Sequence, residues 1–204
     1  MQSKVINGIV ARQRLNSIIK ELFRKIIHIC SSFVPFFLKL AYVPTLILLC
    51  IAVLSYSLCE VFRLKGVNIP IVSRITEIAA RKRDENRFVL GPVTLVVGII
   101  IAAVIFPLDY AKVGIYALAF GDGLASLVGR VFGKITIPGA HGKTVAGSLA
   151  CFMAVFVATY VVCGNCLVSL IIGTAAMLIE VLPLADFDNI LIPILISGIY
   201  YFIA

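Results

Sequence analysis

Apolar residues run through this chain in long blocks, and polar residues gather between them. Seven blocks stand out, at roughly 26–39, 43–62, 88–106, 110–130, 145–163, 166–183 and 189–203. About 20 apolar residues cross a bilayer as a helix, and most of the blocks approach that length. The first is short and contains His28 and Pro35. None alternates apolar and polar residues as a barrel strand would. The pattern predicts an all-α polytopic membrane protein of about seven transmembrane helices, built as one domain over residues 1–204. Residues 1–25 read as a basic juxtamembrane helix and 63–87 as a basic cytoplasmic loop. The apolar run after residue 25 reads as a first span or signal anchor, because no small-residue cleavage site ends it.

Composition strengthens this reading. The chain is 61% hydrophobic and 14% charged, against about 45–50% and 25% in soluble domains. Charge then sets the expected orientation. With the N-terminus inside, all but Lys39 and Lys112 of the 18 lysines and arginines fall in the inner segments, as the positive-inside rule requires. Attraction to anionic lipid accounts for such a basic face, and no nucleic-acid partner is expected. It does not account for the acids. Glu60, Glu180, Asp186 and Asp188 map to the same side, and Asp122 to the inner half of the fourth span. The stretch 63–87, ending in RKRDENR, reads as a solvated amphipathic helix on the membrane or as a substrate-facing loop. The six cysteines form no disulfide framework: four lie in apolar runs, and Cys163 and Cys166 make one loop pair, too few for a zinc site.

Four polar clusters interrupt the apolar pattern. In ELFRKIIH, residues 21–28, Glu21, Arg24, Lys25 and His28 share one helix face. In GDGLASLVGRVFGK, residues 121–134, Gly121, Ala125, Gly129 and Gly133 repeat every four residues. That small face admits a neighbouring helix of the same chain or a second copy in a homodimer. Asp122, between Gly121 and Gly123, is different. An ionised carboxylate at such depth costs about 2.5–3.5 kcal/mol, so it needs a partner or a watery cavity. Arg130 follows two turns later, and Ser126 shares the face of Asp122.

The third cluster, GKITIPGAHGKTVAGS, crowds Lys134, His141, Lys143, Thr144 and Ser148 around Gly133, Gly139, Gly142 and Gly147. Glycines free backbone N–H groups to approach a phosphate, and lysines add charge. The fifth span begins near Val145, so its positive end points here too. The run is not a P-loop, since Ile137 stands where the first glycine is required. The fourth cluster, EVLPLADFDN, supplies oxygens from Glu180, Asp186, Asp188 and Asn189. Such oxygens suit Mg²⁺ or the cap of the last span. Phosphates, carboxylates, metal and an apolar surface point to phosphoryl transfer at a lipid–cytosol boundary.

These clusters resemble, in order over residues 21–193, the CTP-dependent lipid-alcohol kinases: dolichol kinase, phytol kinase and CTP-dependent diacylglycerol kinase. GP at 91–92 and GKTVAGSLACF at 142–152 belong to the same match. The CDP-diacylglycerol synthases are similar through GDG–GK–KTxxG, but their C-terminal signature has no counterpart here. The resemblance implies transfer of a phosphoryl group from CTP to a lipid alcohol of polyprenol, phytol or diacylglycerol type, with Mg²⁺ as cofactor. No residue pattern reads the cytosine base. It also implies roles. Asp122, Lys143 and His28 are the catalytic candidates, with Asp122 acting as base or metal ligand beside Asp186 and Asp188. Arg24, Lys25, Gly121, Gly123, Gly129, Arg130, Gly133, Lys134, Gly142, Thr144, Gly147, Ser148 and Asn189 are the candidates for holding substrate. A cytidylyltransferase making a CDP-lipid is the alternative, and a small transporter with a buried Asp relay a third reading.

Overall fold

The structure, a computed structural model, describes residues 12, 18–67, 87–140 and 142–204. His141 and most of the 63–87 loop lie outside the described residues, as do most of residues 1–17. The described residues are helical throughout apart from connections, with one isolated β-bridge between Thr136 and Thr144. We label the helices α1 (18–30), α2 (Val34–Leu40), α3 (Tyr42–Leu64), α4 (Gly91–Ile105), α5 (Leu108–Phe132), α6 (Val145–Cys163), α7 (Cys166–Val181) and α8 (Asp188–Ile203). Three of them, α3, α5 and α6, are long and apolar enough to cross a membrane; α4, α7 and α8 are shorter apolar helices.

The expected blocks from 43 onward each become a helix with nearly the expected bounds. The block at 26–39 does not. Its first residues belong to α1, which starts well before it, and a 3-10 turn at Ser31–Phe33 separates α1 from α2. Pro35, in the first turn of α2, has no N–H to continue the α1 ladder, so the turn tightens there. The Ser31 hydroxyl donates to the His28 carbonyl at 2.5 Å across the same joint.

Helix α5 forms the centre. Ala111, Val113, Ile115, Ala117, Leu118 and Ala119 are all buried. Its middle, Ala117–Asp122, winds as a wide π-turn that ends on Asp122. Such turns interrupt α-helices at functional sites more often than elsewhere. Around α5 the contacts depend on small residues. A Cβ on Gly121 would lie 2.8 Å from Val155 of α6, and one on Gly147 would lie 2.7 Å from the Ala125 carbonyl. The small-residue face of α5 is therefore occupied by α6 of the same chain. Helix α8 crosses on the other side. Pro193 lacks the N–H that would bond the Asn189 carbonyl, and that carbonyl packs instead on Gly98 of α4.

Helices α6 and α7 form a hairpin. Gly164 supplies the left-handed residue (φ 66°) that ends α6, and Asn165 caps α7 by accepting from Leu167 and Val168 N–H. Helix α3 lies at the edge, with Leu48, Ile51, Leu54 and Leu58 exposed. It is clipped to α4 by the Tyr42 hydroxyl on the Ala103 carbonyl at 2.7 Å.

A Cβ at Gly98 would come within 2.2 Å of the Asn189 carbonyl oxygen, so α4 and α8 must part. We expect Gly98→Ala to destabilise the protein by about 1–3 kcal/mol, read as a lowered thermal-unfolding midpoint in detergent.

Candidate active site

A polar cavity of about 330 Å³ opens where α1, the lower half of α5, the start of α6 and the α7–α8 connection meet. That volume lies within the range of small-molecule sites. Each wall comes from one of the polar clusters.

The α1 wall is the face predicted from its spacing. Glu21, Lys25 and His28 are buried and point at α5. Lys25 Nζ donates to Asp122 Oδ2 at 2.5 Å, and His28 Nδ1 lies 3.2 Å from the same oxygen. Gly123 makes this approach possible: a Cβ there would sit 3.2 Å from Ile29 of α1. Asp122, 5% exposed, is thus compensated from another helix. Glu21 answers it from the opposite side. Its carboxylate accepts from Arg24 at 2.5 Å, from Arg130 of α5 at 2.9 Å and from the Ser126 hydroxyl. Burial pushes the Glu21 carboxyl upward. Arg24, the Ser126 hydrogen bond, Lys25 and Arg130 outweigh burial and hold it below the ordinary 4.5.

The α6 wall depends on a tight loop. Ile137 N–H bonds the Lys143 carbonyl at 2.8 Å, and Val145 N–H bonds the Ile135 carbonyl at 3.0 Å. Gly139 and Gly142 take the positive φ values the reversal needs, 77° and 88°. The reversal delivers Lys143 and Thr144 to the cavity at the start of α6. Thr144 caps that helix, accepting from Gly147 N–H at 3.2 Å. Lys143 Nζ pairs with Glu180 Oε1 of α7 at 2.9 Å and also donates to the Glu180 carbonyl. The Ser148 hydroxyl reaches Glu180 Oε2 at 3.3 Å.

The candidates separate into three groups, with Lys134 apart from all of them. Arg24, Lys25, Asp122, Gly129, Arg130, Gly142, Lys143, Thr144, Gly147 and Asp188 line the cavity. His28, Asp186 and Asn189 line a smaller neighbouring one, which Arg24 and Lys25 share. Gly121, Gly123 and Gly133 make helix contacts instead, Gly133 against Thr144, and Ser148 acts through Glu180. Lys134 is exposed and lies outside both linings.

The site also uses residues outside the candidate set. Glu21, Ser126 and Glu180 complete the ion-pair network, and each lay within a polar cluster of the sequence. Glu60 is less legible. Fully buried at the end of α3, it accepts from Arg63 at 2.7 and 2.9 Å and from Val89 N–H at 2.9 Å. It thereby pins the connection that enters α4. An acid inside an apolar run was the only signal for it.

The large cavity's wall carries Arg24, Lys25, Arg130 and Lys143 against Glu21, Asp122, Glu180 and Asp188. Formal charges on the wall cancel. Among the described residues no three His, Cys, Asp or Glu side chains converge as a ready metal cage. Mg²⁺ commonly needs only one or two carboxylates and completes its shell with water and substrate phosphates. The oxygens of Asp188 and Glu180 fit that requirement. Asp122 lines the same cavity and is engaged by Lys25 and His28 as Glu180 is by Lys143 and Ser148, while Asp186 lies at the smaller cavity.

Removing one member of a buried pair strands the other. Lys25→Met is expected to cost about 3–5 kcal/mol, measured by chemical unfolding in detergent. Glu21 gives a pH signature. Because its folded carboxyl titrates below 4.5, its contribution is fully present above that pH. It is lost as pH falls through the lower folded value. Thermal midpoints between pH 7 and pH 3 should fall more steeply for the native chain than for Glu21→Gln.

Comparison with known proteins gives the site its context. The chain is 30% identical to an uncharacterized protein of Methanocaldococcus jannaschii, over 69% of this chain and 72% of that one. It is 24% identical to a probable chloroplastic phytol kinase 1 of Oryza sativa subsp. japonica, over 94% of this chain and 66% of the relative. It is 28% identical to the CTP-dependent diacylglycerol kinase 1 of Schizosaccharomyces pombe, over 65% of this chain and 68% of the relative. The chain thus spans about two thirds of the length of these kinases. No family model matches it, and no solved structure does. Shared similarity to phytol kinases and diacylglycerol kinases across most of its length places the chain in the CTP-dependent lipid kinase family.

Proposed function

We propose that the protein phosphorylates a membrane lipid alcohol with CTP, giving a lipid monophosphate and CDP. The observation that carries this is the charge-balanced cavity, in which four cations, a glycine-containing loop and a helix N-terminus meet Asp122. Exposed apolar helix surface surrounds that cavity's bundle, so a lipid and a soluble nucleotide can both reach it.

The triphosphate enters against Lys143 and the first turn of α6, where backbone N–H groups and positive charge converge. Gly129 and Gly147 keep that wall low. The cations are already paired with carboxylates, so an incoming polyanion brings net negative charge to a balanced wall. Asp188 and Glu180 are the residues that would hold Mg²⁺, which when bound would supply the missing positive charge. The acceptor oxygen forms its bond to the γ-phosphorus while the bond from that phosphorus to the bridging oxygen breaks. The electron pair leaves with CDP. The hydroxyl proton passes to His28, which Asp122 orients. Arg24, Arg130 and Lys143 face the charge that grows on the leaving group.

Orientation belongs to the same reading. Seven spans with the N-terminus in the cytosol place the cavity where CTP is available, and leave Asp109 and its 2.8 Å partner Lys112 on the far side. A homodimer would need a surface other than the Gly121–Gly133 face, which α6 covers.

The test is direct. Purified protein receives γ-labelled CTP or ATP, Mg²⁺ and a panel of polyprenols, phytol and diacylglycerol. Labelled lipid monophosphate is expected with CTP; release of pyrophosphate instead would reassign the protein as a cytidylyltransferase. Asp122→Asn and Lys143→Met should each lower kcat by about 10²-fold or more, and chelation of Mg²⁺ should abolish turnover.

A further inference from the structure

Glu21 is the carboxylate of the large cavity to which the reaction above gives no role. It is 3% exposed and opens the buried face of α1. Guanidiniums from two helices meet on it. Arg24 of α1 donates to its Oε1 at 2.5 Å, and Arg130 of α5 lies 2.9 Å from its Oε2. The Ser126 hydroxyl donates to Oε1 as well. Glu21, Arg24, Ser126 and Arg130 all line the cavity.

Stability alone explains this cluster poorly. Burying a carboxylate is costly, and attraction to a partner often does no more than offset that cost. The Arg130 side chain is 44% exposed, so water screens its attraction to Glu21. What the arrangement does provide is geometry. A guanidinium is a rigid planar fork of N–H donors, so fixing one terminal nitrogen limits where the others point. The long Arg130 side chain, if it were not held, would sample many rotamers. With Glu21 between them, Arg24 and Arg130 face one cavity from two helices. Phosphate oxygens are the ligands that such forks match.

We propose that Glu21 is a positioning residue, which holds Arg24 and Arg130 as one clamp for the phosphates of the nucleoside triphosphate. This rests on the kinase reading above and adds to it the group that orients two of its cations. Glu21 itself touches no substrate. Simple electrostatics predicts the opposite effect for its removal. Glu21 is an anion on the wall of an anion site, so Glu21→Gln should make that wall more positive and tighten CTP. If Glu21 orients the arginines, the same change should slow transfer instead.

The full chain in nanodiscs, given γ-labelled CTP, Mg²⁺ and the panel of polyprenols, phytol and diacylglycerol, separates the two. Glu21→Gln keeps the side-chain shape and an accepting oxygen. Counted per molecule in the monodisperse nanodisc fraction, kcat should fall at least about tenfold, with KM for CTP unchanged or raised. Arg130→Lys keeps the charge and loses the fork, and should cost at least about tenfold on its own. In the Glu21→Gln background it should cost less than about threefold more, because an arginine that is not held is little better than a lysine. A merely structural Glu21 would leave the two losses independent, and their factors would multiply. Multiplying factors, a native kcat with tighter CTP in Glu21→Gln, or full activity in Arg130→Lys overturns the clamp and leaves the kinase reading standing. Should Glu21→Gln not fold, Arg130→Lys decides alone, since residue 130 is half-exposed. Transfer to no lipid of the panel by the native chain overturns both.

Discussion

The ion pair between Lys25 and Asp122 is the contact on which the site depends. Asp122 ends the wide turn in the central helix, at a depth where an unpaired carboxylate would be costly. Lys25, from the helix at the other end of the sequence, meets it at 2.5 Å. Lys25 also acts on Glu21 one turn away in its own helix, but its hydrogen bond goes to Asp122. Docking of the first helix onto the central one is therefore tied to compensation of both charges, and the same docking brings Glu21 to Arg130 and Ser126.

From this pair the rest of the cavity takes its electrostatic character. Its lining cations are each matched by a carboxylate, through Glu21, Asp122 and Glu180. A balanced wall can lie beside lipid without an ion of its own, and it becomes unbalanced only when a phosphate arrives. Under the proposed function, that would give a divalent cation a physical reason to enter with the nucleotide rather than to occupy a preformed cage. Helix packing has the same economy. Gly98, Gly121 and Gly147 admit backbone or side chains at distances a Cβ would forbid, so the bundle closes tightly around a polar centre.

Much of the candidate site could be read from residue spacing. Positions 21, 25 and 28 were expected on one helix face and lie on one. The glycine-rich segment with Lys143 was expected to point toward a helix start and does so. Other placements depended on pairings no local pattern encodes. Lys134 is as basic as Lys143 and only nine residues away, yet the loop reversal at Gly139 and Gly142 turns one outward and the other inward. Asp186 and Asp188 are two residues apart and line different cavities. Glu60 gave only the hint of an acid in an apolar run, and its partner Val89 lies 29 residues on.

The sequence by itself determined the helical class, the membrane character and the polar clusters from which a site could be built. Hydrophobic block length and helical periodicity are local properties, and the bilayer imposes them segment by segment. Tertiary structure decided which charges meet. It assigned α6 to the small-residue face of α5, split the acids between two cavities and closed the ion pairs of Glu21, Asp122 and Glu180. Those outcomes arise from contacts between helices far apart in the chain, where the energy of a buried charge depends on its neighbour in space.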